Sequence, residues 1–163
     1  MDTVWTAKAM TEYLTILEHG ATSWGAYAPD VLGCIAVDDT REGVQRMFHE
    51  AFQEHLDWMR ADGDPIPPPA AETDTVTVAL AGQPPRRYLT ILQPTTLGGW
   101  SVSAADVPDL VLEFSTRAGA LRLLQTALQS YLEELSANGE SLPEPASEAS
   151  VVAVRLANLS VAV

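Results

Sequence analysis

The chain has little cysteine, little positive charge and no long apolar run, and each shortage excludes something. Its single cysteine, Cys34, has no partner for an internal disulfide, which fits a reducing, cytoplasmic setting. No stretch approaches the roughly 18 apolar residues of a membrane span. Residues 1 to 10 lack an apolar core behind a basic start, so no signal peptide is expected. There is no glycine-rich phosphate loop. Nine lysines and arginines face 22 aspartates and glutamates, a net charge of −13. That balance opposes direct binding to nucleic-acid phosphates and favours a basic partner. Solubility alone is the competing reading of the same acidity. The acids are unevenly spread. From 13 to 80, twelve acids stand against three arginines, −9; from 86 to 163, eight stand against five, −3.

What the chain does contain is itself, twice. A shift of 76 pairs Trp24 with Trp100, Asp30 with Asp106, Thr40 and Arg41 with Thr116 and Arg117, and Gly43 with Gly119. The same shift pairs Leu56 with Leu132, Gly63 with Gly139, Pro67 with Pro143, and Val76 with Val152. Tyr13-Leu14-Thr15-Ile16-Leu17 recurs at 88 to 92 with a shift of 75. Two copies are too few for a solenoid. The pattern is a tandem duplication, with an N-terminal arm at 1–11, repeat 1 at 12–80, a linker at 81–86 and repeat 2 at 87–163.

Within a copy, period-two alternation predicts strands at 13–17, 24–28 and 34–37, joined by turns as an antiparallel meander. Leu14 and Ile16 then oppose Tyr13, Thr15 and Leu17. At Asp38-Asp39-Thr40 the period lengthens to 3.6. Asp39 or Thr40 can cap a helix, and Glu42 suits a capping box. Val44, Met47, Phe48, Ala51, Phe52, His55, Leu56 and Met59 form its apolar stripe, with Ala120 to Leu135 as counterpart. Gly63 and Gly139 should stop the helices. Gly43 and Gly119, in the first turns, imply close helix–sheet contact. Proline-rich exits carry the chain back across the sheet to a fourth strand at 75–80 or 151–156. The expected class is α+β, two tandem β-β-β-α-β units with a helix on one face of each sheet.

The run Tyr27-Ala28-Pro29-Asp30-Val31-Leu32-Gly33-Cys34, then Asp39-Thr40-Arg41-Glu42, then Gly63-Asp64-Pro65-Ile66-Pro67-Pro68-Pro69, resembles the signature of the HicB antitoxin family. The resemblance covers the first copy. In the second, Ala105 replaces Pro29 and Asp109 replaces Gly33. It implies a partial RNase H-like fold without nuclease activity, binding to a small basic HicA-type ribonuclease toxin, and a tendency to self-associate. Many family members add a C-terminal DNA-binding domain; here the second copy stands in its place. The implied function is a non-catalytic antitoxin that occludes a toxin. An orphan scaffold, with an intrachain pseudo-dimer and no toxin, is the alternative.

Catalytic chemistry finds no constellation. RNase H-type nucleases need carboxylates converging on metal ions. Asp30, Asp38, Asp39, Glu42 and Glu50 are the candidates, and the aspartates fall in turns beside a helix start, where capping is their ordinary use. His49 and His55 are six apart, on opposite sides of a helix, so no zinc motif forms; His55 reads as a core histidine. Cys34 reads as a buried thiol. No enzyme activity, cofactor or metal is expected. The candidate partner surface is Trp24, Tyr27, Asp30, Asp38, Asp39, Glu42, Asp62 and Asp64, with core packing an equal reading for Trp24.

Overall fold

The computed structural model describes residues 10–156; Val4 and Trp5 of the expected arm lie outside them. Ten elements follow in order. They are β1 (Met10–His19), β2 (Trp24–Ala28), β3 (Val31–Asp38), α1 (Arg41–Ala61), β4 (Glu72–Val78), β5 (Arg86–Pro94), β6 (Trp100–Ala104), β7 (Val107–Phe114), α2 (Arg117–Ala137) and β8 (Glu148–Arg155). The class is α+β. Met10 and Thr11, assigned above to the arm, belong to β1 and pair with Arg155 and Val154.

The helix boundaries follow from local chemistry. Thr40 and Thr116 cap them, each hydroxyl accepting from the amide of Gly43 or Gly119 at 3.0 and 3.1 Å. The capping box expected at Asp39 and Glu42 gives way to Asp38. Its Oδ2 accepts from the Thr40 amide and hydroxyl, both at 3.3 Å. A methyl group at Gly43 would collide with the Asp38 carboxylate, and one at Gly119 with the Phe114 ring. At the far end Gly63 turns to φ 77°, its amide bonding to Arg60 O and that of Asp64 to Met59 O. Those two bonds close the helix end where a side chain would be strained.

The buried stripe is narrower than its periodicity suggested. Val44, Phe48, Phe52 and Leu56, and Ala120, Leu124, Leu128 and Leu132, are fully buried. Met47, Leu123 and Tyr131 are exposed and His55 is half-buried beside Gly33. A helix on a four-stranded sheet has room below it for one row of large side chains; the flanking positions overhang.

The sheets depart from the expected units in their pairing. Their orders are β3-β2-β1-β8 and β4-β5-β6-β7. Each copy's fourth strand therefore completes the other copy's sheet. Val152 lies opposite Tyr13 and Val76 opposite Tyr88, so the two exchanged pairings have the same register. The cause is the connection. The linker expected at 81–86 is shifted. Residues 79–85, including Ala79 and Leu80 from the end of the expected fourth strand, form a loop with Gly82 at φ 75° between β4 and β5, and Arg86 opens β5. Strands so closely joined pair as neighbours.

Three clusters result. Tyr13, Leu17, Phe48, Phe52 and Val152 belong to the first core, and Tyr88, Leu92, Leu124, Leu128 and Val76 to the second. Between the sheets lies a third and smaller one, Ile16, Ile91 and Ala105, flanked by Leu14, Tyr27 and Leu89. The alternation in β1 is the one expected, with Tyr13 and Leu17 towards the helix and Ile16 towards the other sheet.

Candidate protein-interaction surface

The eight residues singled out above occupy three places. Trp24, Asp38, Asp39 and Glu42 gather where β2 begins, β3 ends and α1 starts, since Trp24 pairs with Asp38 across the sheet. Tyr27 and Asp30 sit at or beside the β2–β3 turn. Asp62 and Asp64 lie past the C-terminal end of α1, about 30 Å from its start for 21 residues at 1.5 Å each.

At the first place the acids have unequal duties. Asp38 is half-buried and holds the helix cap, whereas Asp39 and Glu42 are exposed. Trp24 is half-buried against the first core and stacks on His19 at 4.1 Å between ring centres, 5° from parallel. One ring face is thus covered. At the equivalent place in the second copy Asp38, Asp39 and Glu42 are replaced by Phe114, Ser115 and Ala118.

At the second place both residues serve the fold. Asp30 accepts from the amides of Ala70 and Ala71 at 3.0 Å, and Asp106 accepts from the amide and hydroxyl of Ser147 at 3.2 and 2.8 Å. Each carboxylate ties the proline-rich exit to the β2–β3 or β6–β7 turn. Tyr27 lies in the cluster between the sheets. Desolvation, then the charges of Glu18 and Asp106, push its hydroxyl up to about 12. Glu18 is itself raised, by desolvation and then by Asp106. Its counterpart Gln93 is neutral and donates to Pro29 O at 3.0 Å, so the sheet–sheet contact is polar and uncharged on one side and acidic on the other.

The third place is exposed: Asp62 is the last helix-capping position and Asp64 follows Gly63. Cys34 is buried and its thiol raised by desolvation, as expected of a packed thiol.

The sequence reading missed the side chains that hold the exchanged strands. His49 Nε2 lies 3.0 Å from Ala153 O; Gln53 donates to Arg155 O and accepts from the Arg155 amide, both at 2.9 Å. In the other half Gln125 donates to Thr77 O at 3.2 Å and Gln129 to Ala79 O at 2.7 Å. Arg41 pairs with Glu148 at 2.6 Å, and Arg117 with Asp74 at 3.3 Å and Glu72 at 3.7 Å. Each helix thereby covers the open edge of a strand from the other copy. The signal was present as polar residues at i, i+4 spacing beside the apolar stripe.

No family model and no curated protein matches the chain. Among solved structures, a chain of one described as "HicA3 and HicB3 toxin-antitoxin complex" is similar at 27% identity and a TM-score of 0.33. The match covers 36% of this chain and 70% of that chain. Among the described residues, no helix is long and apolar enough to cross a membrane.

Proposed function

We propose that this protein is a non-catalytic binder of a small basic protein, an antitoxin of HicB-like type whose partner is a HicA-like ribonuclease toxin. The observation that carries the reading is the start of α1 in the first copy. There Asp39 and Glu42 are exposed beside the half-buried Trp24, and the second copy has uncharged residues at the positions of both acids. Exposed acids there would compete with RNA phosphate for a basic surface. Occlusion is the mechanism, with no chemistry on this side of the complex. Direct nucleic-acid binding is disfavoured by the net charge of −13.

The test is co-expression with the product of a short basic reading frame adjoining the gene. Capture at low salt, weakening as salt rises, is expected. Failure to retain that protein at low salt refutes the reading. Reversal of Asp39 and Glu42 to lysine should weaken capture about tenfold, and lysines at Ser115 and Ala118 should do less. Asp38 is unsuitable for the comparison, because its carboxylate holds the helix cap.

The exchange of strands supports a second reading, an orphan scaffold whose pseudo-dimer is the functional object. Under it, capture would be absent and the charge reversals without effect.

A further inference from the structure

The two halves differ at one place where the duplication makes them equivalent. In the first, a cavity of about 500 Å³ opens between the C-terminal end of α1, the proline-rich exit and the start of β1. Thr11, Tyr13, Ile66, Pro68, Leu156 and Asp64 are among its lining, as is Arg60, whose guanidinium lies 3.7 Å from the Asp57 carboxylate. In the second, Arg86 stands where Thr11 stands and Glu144 where Pro68 stands. Arg86 Nη1 donates to Glu144 Oε1 at 3.3 Å, bridging the two positions that line the first cavity. Leu80, the counterpart of Leu156, is buried in the second core, while Leu156 is half-buried beside the first. The floors are otherwise alike: Tyr13 donates to Pro67 O at 2.7 Å and Tyr88 to Pro143 O at 2.6 Å.

We propose that the open cavity receives an apolar side chain of a basic polypeptide, with Asp62 and Asp64 pairing with lysines or arginines that flank it. The volume is that of a ligand pocket, typically about 300–1,000 Å³. Apolar walls beside exposed charge suit an anchor residue desolvated at the centre of a contact. A second copy of this chain is a poor occupant, because two bodies at −13 repel. The inference rests on the proposed function only for the sign of the partner's charge.

The probe is a set of five-residue blocked peptides, two lysines on either side of leucine, tryptophan or glycine, and a leucine peptide flanked by glutamates. They are titrated into isotopically labelled full-length protein at low salt. Saturable shifts at Tyr13, Ile66 and Leu156 are expected, about tenfold or more tighter for leucine or tryptophan than for glycine, and none with glutamate flanks. Thr11→Arg with Pro68→Glu, which installs the bridge of the second copy, should abolish them. Arg86→Thr with Glu144→Pro should open a second site read at Tyr88 and Leu142, and it serves even if the first variant misfolds. Equal binding of the glycine peptide, no binding at millimolar peptide, or indifference to both variants would overturn the proposal. So would movement of the same three signals in a Trp5→Ala variant without peptide, which would mean that the chain's own amino-terminal segment fills the site. Toxin capture through Asp39 and Glu42 is read separately, so either result can fail while the other stands.

Discussion

Tyr13 and Tyr88 each bury a ring under a helix and spend the hydroxyl on a proline carbonyl, at Pro67 and Pro143. A sequence shows the conserved spacing of the two copies but not where the hydroxyl goes. Tyr13→Phe should cost about 1 kcal/mol, the net worth of one such bond, read from the urea midpoint. Glu18 is a sharper case. Desolvation and Asp106 raise its pKa, so the folded state holds the proton more tightly than the unfolded chain. The stability this gives is full below the ordinary carboxyl value and is lost as pH rises through the folded value. Glu18→Gln, which copies Gln93, should therefore be more stable than the native chain at neutral pH, with the gap closing as the pH falls below the ordinary carboxyl value of 4.5. Denaturation midpoints across that range check it; a gap that stays constant with pH would contradict it. Asp30 shows why the site was only partly legible. A turn aspartate reads equally as a surface acid or a tether, and its tethering amides, Ala70 and Ala71, lie forty residues on.

At the scale of elements, periodicity was enough to find both helices and the body of each strand, because apolar spacing is a local property. The ends were off, the fourth strand expected at 75–80 running over Glu72–Val78 and the third, expected at 34–37, over Val31–Asp38. Pairing is not a local property. Tyr13 opposite Val152 and Tyr88 opposite Val76 present the same residue types as the unexchanged alternatives, so no pattern of side chains could choose between them. The short loop at 79–85 was the informative feature, since it favours a hairpin over two separate domains. Exposed strand edges invite stray pairing, and here β8 and β4 are covered by α1 and α2. Gln53→Ala removes both bonds to Arg155. It should destabilise the protein by about 1–2 kcal/mol and speed hydrogen exchange at the Arg155 amide, with little change at amides of β6. Unchanged exchange at Arg155 would mean that this contact does not hold the strand.

For the whole molecule, the exchange of β4 and β8 between the sheets should make two small domains unfold as one cooperative body. If the copies merely docked, only the small cluster around Ile16, Ile91 and Ala105 and bonds such as Gln93 to Pro29 would join them. With strands exchanged, each core contains valines from the other copy: Val152 and Val154 in the first, Val76 and Val78 in the second. A buried valine is worth about 1.5–3 kcal/mol against exposure, and separation would strip four of them along with two strands of ladder bonds. A protease site inserted at Gly82, in the exposed loop between β4 and β5, allows the comparison. After cleavage the two fragments should co-migrate by size exclusion and native mass spectrometry, and should come apart only across the unfolding transition. That transition should be single in both the intact and the cut protein. Fragments that separate under native conditions would show that each copy keeps its own fourth strand, and the acidic face of the first copy would then belong to a domain able to act alone.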